Sequence, residues 1–249
     1  MLSIIVPTLN EAENIPSLVT QVAAALKGKV PGWDMIIVDD DSADGTDRIC
    51  GGLRRQGLPV SLVVRESEKG LATAVLEGFC RSKGEYLVVM DADLSHPPEK
   101  IPEFYRHLRR GSDFVLGSRY LPGGGTDDKW TAYRYLNSKA ATFLALPLAH
   151  LTDPMSGFFA LPRSTWKRCR DLSPVGYKIA LELLVKGRPR KITEIPIYFR
   201  TRRCGKSKLT FTQQLLYLKH IGRLYRYKMR RTGGKMTSQS QETKSQEPW

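Results

Sequence analysis

Residues 35–44 read Met35-Ile36-Ile37-Val38-Asp39-Asp40-Asp41-Ser42-Ala43-Asp44: four apolar residues, then four carboxylates within six positions. A run that is apolar at every position, not at alternate ones, fits a strand buried on both faces. Carboxylates cannot follow it into that interior, so the chain must leave the sheet at Asp39. Residues 2–6, 60–64, 86–90 and 114–116 are short runs of the same kind, rich in Val, Ile and Leu. Between them residues 14–26, 46–56, 71–81 and 99–110 carry helical patterns, and Asp44-Gly45-Thr46 offers a turn and cap ahead of the second. This alternation predicts an α/β fold, a mostly parallel central sheet with helices on both faces. Such sheets bind ligands beyond the carboxyl ends of their strands. The acidic run stands at that place.

A second acidic motif, Met90-Asp91-Ala92-Asp93, follows the fourth strand. Two carboxylates one residue apart can be aimed at one site. A hard divalent cation takes such oxygen ligands and completes its shell with phosphate oxygens and water. Asp-x-Asp alone is common, because Asp favours turns; its place at a strand end gives it weight. His96 comes next, ahead of Pro97 and Pro98, and serves either as a ligand or base, or to shape the loop. The first strand leads into Pro7-Thr8-Leu9-Asn10-Glu11 instead of Gly-x-Gly-x-x-Gly, which argues against a dinucleotide-binding enzyme. The sequence also contains no Walker A motif, which argues against a P-loop kinase or ATPase.

The second half is less regular. Gly123-Gly124-Gly125 marks a loop; residues 133–146, 179–186 and 210–231 read as helices, and 158–161 and 192–199 as strands. Arg119 follows the fifth strand. Arg134 and Ser138, four apart, share one helix face. Arg202, Arg203, Lys206 and Lys208 crowd a loop that contains Gly205. Several guanidinium groups near a phosphate site suit its recognition, because their planar fork of donors can meet two phosphate oxygens at once.

The 249 residues, 41% hydrophobic and 26% charged, are ordinary for a globular protein with one large domain. The net charge of +14 is not, and it favours polyanionic partners. A nucleic-acid-binding protein would explain the charge but not two acidic clusters at strand ends, which repel phosphate unless a metal intervenes. Cys50, Cys80, Cys169 and Cys204 are scattered and read as reduced cytosolic thiols. The amino terminus has no basic n-region and reads as a strand, not a signal peptide. Residues 140–151, the longest apolar stretch, include Pro147 and His150 and are too short to span a bilayer. Membrane contact is therefore expected to be peripheral or through a partner.

In residues 210–231, Phe211, Leu215, Leu218, Ile221, Leu224 and Tyr225 repeat at helical spacing. Lys219, Arg223, Arg226, Lys228, Arg230 and Arg231 add positive charge. Such a helix either lies on an anionic membrane or packs on the domain with a solvated outer face. Residues 235–249 are rich in Ser, Gln, Lys and Glu, have little to bury, and read as disordered.

Taken together, seven stretches resemble the family 2 glycosyltransferases of the GT-A nucleotide-sugar-binding fold, specifically the dolichyl-phosphate (polyprenyl-phosphate) mannosyltransferases. They are Ile5 to Glu11, Val38 to Ser42, Glu68-Lys69-Gly70-Leu71, Met90 to Pro98, Gly117-Ser118-Arg119-Tyr120, Asp153 to Phe159, and Gly205-Lys206-Ser207-Lys208, in order along the chain. The stretch from Met90 to Pro98 is the most specific. The resemblance implies a nucleoside pocket lined by Pro7, Leu9, Glu11, Val38 and Asp40. Asp91 and Asp93 would hold Mg2+ or Mn2+ on the donor diphosphate, with the Ala92 backbone alongside. Arg119, Lys178, Arg202 and Lys208 would contact the donor or the transferred group, and Arg134 and Ser138 the acceptor phosphate.

The implied reaction moves mannose from GDP-mannose to polyprenyl phosphate with inversion. UDP-glucose, or another nucleotide sugar, on the same lipid is the alternative. An intact Asp91 and Asp93 pair speaks against a noncatalytic relative. Some relatives have Gln at the place of Ser95, which is shorter and would reach a metal through water. Some also continue into transmembrane helices, which this sequence does not show. The expected organisation is a catalytic domain over residues 1–208, a basic amphipathic helix at a membrane surface over 209–232, and a disordered tail over 233–249. The enzyme would be cytoplasmic and peripheral, meeting the membrane directly or through a membrane-protein partner, with no nucleic acid.

Overall fold

A computed structural model describes residues 1–127, 141–173, 178–201 and 211–242, and within the last segment the side chains of 215–230. Five strands of the main sheet are those read from the sequence: β1 (Leu2–Thr8), β2 (Trp33–Asp39), β3 (Val60–Val64), β4 (Tyr86–Val89) and β5 (Phe114–Ser118). Next come β6 (Gly125–Thr126), β7 (Phe159–Pro162), β8 (Ile192–Pro196) and β9 (Tyr198–Phe199). The main sheet has the order β3-β2-β1-β4-β7-β5-β8, and β6 pairs with β9 apart from it. Within the main sheet only β7 is antiparallel, to both β4 and β5. Its inversion puts the turn before it, residues 153–158, at the same edge as the carboxyl ends of β1, β2, β4 and β5. The edge that carries the acidic motifs thus gains a third contributor.

Among the described residues the helices include α1 (Ile15–Leu26), α2 (Thr46–Arg55), α3 (Leu71–Arg81), α4 (Ile101–Arg109), α5 (Arg163–Arg168), α6 (Ile179–Gly187) and α7 (Phe211–Glu242). They cover both faces of the sheet. Leu2, Ile4 and Val6 of β1 face a core built with Leu18 and Val22 of α1, Leu53 of α2 and Phe104 of α4. Ile5 points the other way, into a core with Val75 and Phe79 of α3, Leu183 of α6 and Ile221 of α7. Successive residues of one strand thus feed opposite cores, so an unbroken apolar run is what β1 needs.

The sequence reading of 192–199 as one strand is corrected: it splits at Ile197 into β8 and β9, which belong to different sheets. Buried Ile197, whose N–H is bound by the Ser118 carbonyl at 2.9 Å, marks the change. The short α5 also escaped the sequence reading, because six residues carry too little periodicity to register. In α7 the backbone stays helical to Glu242, beyond residue 232, where the sequence ends the helix and begins a disordered tail. No proline interrupts before Pro248, although Gly233-Gly234 and the Thr and Ser residues beyond are weak helix formers. Tyr217, His220, Ile221 and Leu224 of α7 are buried, so this face packs on the domain, while Leu215 and Leu218 stay exposed.

Gly78 sits where α3 crosses β1. A β-carbon there would stand 2.4 Å from Ile5 Cγ2 and 3.2 Å from Val38 Cγ2. Gly51, in α2, would meet only the flexible Arg55 guanidinium at 3.6 Å. Alanine is the better helix former by about 1 kcal/mol, whereas overpacking costs roughly 1–3 kcal/mol. Urea unfolding should therefore show Gly78→Ala destabilised and Gly51→Ala neutral or slightly stabilised. Equal effects would contradict the close packing of α3 on β1.

Candidate active site

The acidic run after β2 is a set of fastenings. Asp39 accepts the Thr8 hydroxyl at 2.7 Å, the Ser42 N–H at 2.7 Å and the Ser42 hydroxyl at 2.8 Å. Asp40 takes Arg65 through two guanidinium nitrogens and the Gly70 N–H at 2.6 Å. Asp41, exposed, pairs with Lys69 at 3.1 Å. Asp44 accepts the Ala12 N–H at 2.9 Å and both the N–H and hydroxyl of Thr46. Burial pushes the Asp44 carboxyl up, but these donors outweigh it and hold it below the ordinary carboxylate value. Each of these carboxylates is thus occupied by donors, from β1, the loops that follow β1 and β3, the run itself, the start of α2 and the residues just ahead of α3. Around it Val38 is buried, Pro7 and Glu11 are half-buried, and Leu9 is 40% exposed at the rim. Glu11 accepts Asn14 Nδ2 at 2.6 Å.

The second motif turns sharply. Leu94 has φ of 61°, left-handed backbone that a bulky residue rarely adopts. This brings the Ser95 N–H to 3.0 Å and its hydroxyl to 2.6 Å from Asp93 Oδ1. Ser95 therefore orients Asp93, which is buried, while the Asp91 side chain remains 30% exposed. His96 is buried, stacked on Phe158 and met edge-on by Phe199. Its Nδ1 accepts the Asp91 N–H at 2.9 Å, and its Nε2 lies 3.9 Å from Asp91 Oδ2. Burial drives its pKa down, with the Asp91 and Asp93 charges opposing, which favours the neutral ring. Of the roles open to His96, shaping the loop is the one its contacts serve.

The third group comes from the turn before β7. Asp153, fully buried, binds Arg119 Nε at 2.7 Å and Nη2 at 2.8 Å, and accepts the Arg119 N–H at 3.2 Å. Burial works against the Arg119 charge, but the Asp153 bonds more than restore it, raising its pKa. Lys178 donates to the Met155 carbonyl at 2.8 Å. Burial, then the Arg119 charge, push its amine down to about 7, with Asp153 and Asp91 opposing. Gly157 lies between these groups. A β-carbon there would stand 3.8 Å from Asp91 Oδ1 and 3.4 Å from His96, so glycine leaves the space beside Asp91 open.

Of the residues expected at the site, Pro7, Leu9, Glu11, Val38 and Asp40 gather at the ends of β1 and β2. Asp91, Ala92, Asp93, Ser95, Arg119 and Lys178 gather at the ends of β4 and β5. Arg134, Ser138, Arg202 and Lys208 lie outside the described residues. Arg65, Asp153 and Gly157 were not assigned from sequence. Asp153 and Gly157 stood inside a quoted motif, and a lone acid ahead of an apolar strand was the available signal. Among the described residues no three His, Cys, Asp or Glu side chains form a metal cage. Two carboxylates and an open side fit a cation whose remaining ligands arrive with a diphosphate. A cleft lined by Lys167, Arg168, Arg170, Lys186, Arg188 and Arg190 lies at the opposite edge of the sheet, near the start of β8, and contains none of these residues. Among the described residues no helix is long and apolar enough to cross a membrane.

The model of the glycosyl transferase family 2 matches residues 3–168. The chain is 43% identical over 234 residues to the dolichol-phosphate mannosyltransferase of Saccharomyces cerevisiae, covering 91% of this chain and 87% of that one. It is 42% identical over 229 residues to the protein of that name from Pyrococcus furiosus, covering 90% of this chain and 64% of that relative's length. Among solved structures, glucosyl-3-phosphoglycerate synthase of Mycobacterium tuberculosis, in complex with Mn2+, UDP and glucosyl-3-phosphoglycerate, matches with a TM-score of 0.61 at 21% identity, over 92% of this chain and 77% of that one. The same enzyme with Mn2+ and UDP-glucose matches with a TM-score of 0.63 at 19% identity, over 89% and 76%. These likenesses bear out the α/β, GT-A expectation, and the extent of the family match together with the two mannosyltransferase relatives makes this chain a member of glycosyl transferase family 2.

Proposed function

We propose that the chain is an inverting, metal-dependent glycosyltransferase that moves mannose from GDP-mannose to dolichyl or another polyprenyl phosphate. The observation that carries it is the convergence of Asp91 with the Arg119–Asp153 pair and Lys178 at one strand edge, open over Gly157. The lipid-phosphate acceptor and the sugar follow the mannosyltransferase relatives, which is why UDP-glucose is the less favoured donor.

A phosphate acceptor is anionic at neutral pH and attacks without a general base. The difficulty is electrostatic: two anions must meet, and a diphosphate must leave. Asp91 and Asp93 would hold Mg2+ or Mn2+, which supplies charge neutralisation of the departing diphosphate when bound. Ser95 keeps the Asp93 carboxylate turned to its place, and His96 fixes the backbone of Asp91. Arg119, held by Asp153, presents fixed positive charge where negative charge gathers, the largest single term in many enzymes, and the arriving diphosphate would favour the charged form of the Lys178 amine, held near 7. We assign the base to the pocket of Pro7, Leu9, Glu11, Val38 and Asp40, Arg202 and Lys208 to the donor, and Arg134 and Ser138 to the acceptor phosphate.

The acceptor is a lipid, so the enzyme must reach a membrane. Phe143, 73% exposed, stands with Leu144 and Leu146 beside α7, whose Tyr217 and Tyr225 hydroxyls bind the Ala141 and Leu144 carbonyls at 2.6 Å and 3.0 Å. Leu215 and Leu218 of α7, 53% and 52% exposed, are further exposed apolar side chains, and Lys219 and Arg226 are exposed cations of the same helix. Apolar side chains rimmed by cations suit peripheral attachment from the cytoplasmic side, directly or beside a membrane-protein partner.

Two measurements test these roles. Asp91→Ala and Asp93→Ala should each abolish mannose transfer while far-ultraviolet circular dichroism stays native, and EDTA should silence the native enzyme until Mg2+ or Mn2+ is returned. Full activity in EDTA would remove the metal from the account. With the native enzyme, kcat/KM for GDP-mannose should exceed that for UDP-glucose by on the order of 100-fold, the discrimination that the shape and apolar lining of a pocket supply. The reverse order would establish the alternative donor.

A further inference from the structure

Glu194 of β8 is paired in register with Leu116 of β5 and turns its carboxylate to a single turn of chain. The Thr152 N–H lies 2.9 Å from Oε1 and 3.1 Å from Oε2, the Thr152 hydroxyl donates to Oε1 at 2.7 Å, and the Asp153 N–H lies at 3.3 Å. The Thr152 hydroxyl oxygen is also 2.5 Å from Ser118 Oγ, which accepts the Tyr120 N–H at 3.2 Å. The turn so fastened carries Asp153, which grips Arg119 twice, and Met155, whose carbonyl takes Lys178. We infer that Glu194 is a positioning residue for the transfer reaction, setting the Arg119 guanidinium through Thr152 and Asp153. This rests on the glycosyl-transfer reading of the same site.

The chemistry favours a carboxylate at this position. Two N–H groups and a hydroxyl converge on it, and an ionised carboxylate is the side chain that only accepts. Glutamine would turn an NH2 group toward one of these donors. Hydrogen bonds to a charged acceptor are also about twice as strong as neutral ones. Released from Glu194, the turn would keep its ion pair with Arg119 and its Ser118 and Lys178 contacts but lose the charged acceptor that holds the Thr152 and Asp153 N–H groups. A misplacement of about 1 Å at such a group can cost on the order of 100-fold in rate.

The test is a double-mutant cycle with a spectroscopic arm. Glu194→Gln should lower kcat about tenfold or more, with the KM for GDP-mannose little changed, and Glu194→Asp should recover part of it. In an Arg119→Lys background, Glu194→Gln should cost almost nothing further, because the two act as one unit. In the native protein the Arg119 Nε–H signal in 15N NMR should exchange slowly with water, and Glu194→Gln should speed that exchange. Thr152→Val, which removes only the hydroxyl link, should shift both readouts the same way and serves if Glu194→Gln does not fold. An equal loss in both backgrounds, or an unchanged kcat and Nε–H exchange in Glu194→Gln, would overturn the inference. If the native enzyme makes no mannolipid, the transfer reading falls, and the Nε–H exchange alone then decides for or against Glu194.

Discussion

Asp153 is a carboxylate with no exposed surface, tolerable there because Arg119 meets it with two guanidinium nitrogens. Removing either partner would leave an unpaired buried charge, which costs several kcal/mol. The pair is thus an obligation the fold must keep, and much of the site follows from it. It ties the end of β5 to the turn before β7, and so fixes Gly157 beside Asp91. It also sets the charge that Lys178 feels. Buried pairs of this kind contribute little net stability, and their value lies in fixing one arrangement. Here that arrangement is a positive group held opposite two carboxylates without collapsing onto them.

The other acidic residues obey the same constraint with different donors. Asp40 uses Arg65 and the Gly70 N–H, Asp39 uses Thr8 and Ser42, and Asp93 uses Ser95. The exception is Asp91. Its backbone is held by His96, but its side chain is 30% exposed and faces the gap left by Gly157. A rigid backbone with an open carboxylate is what a ligand for an incoming cation requires.

The sheet was legible in the sequence because strands buried on both faces need unbroken apolar runs, and those at residues 2–6, 35–38 and 86–90 have few other uses. The edge holding the site was legible because carboxylates end those runs. The fastening was not. Whether Asp40 grips a ligand or Arg65 depends on a contact 25 residues away, and no local pattern carries that. Likewise the Glu194 contacts to Thr152 cross about forty residues and join an edge strand to a turn. His96 could be read two ways from sequence; the direction of its Nδ1 separates them. The split of 192–199 between two sheets reflects a tertiary bond from Ile197 to Ser118. The position of β7 could not be foreseen either, since an antiparallel strand inserted between β4 and β5 is a matter of topology.

The central claim is that this strand edge joins mannose to a lipid phosphate with inversion. The most direct measurement is to incubate the purified chain with GDP-mannose, Mg2+ and dolichyl phosphate in detergent, isolate the lipid, and assign the anomeric configuration of any attached sugar by NMR. The account predicts a single mannosyl residue on the phosphate in the β configuration, inverted from the donor. A retained configuration, or a lipid recovered without sugar while relatives assayed alongside glycosylate it, would contradict it.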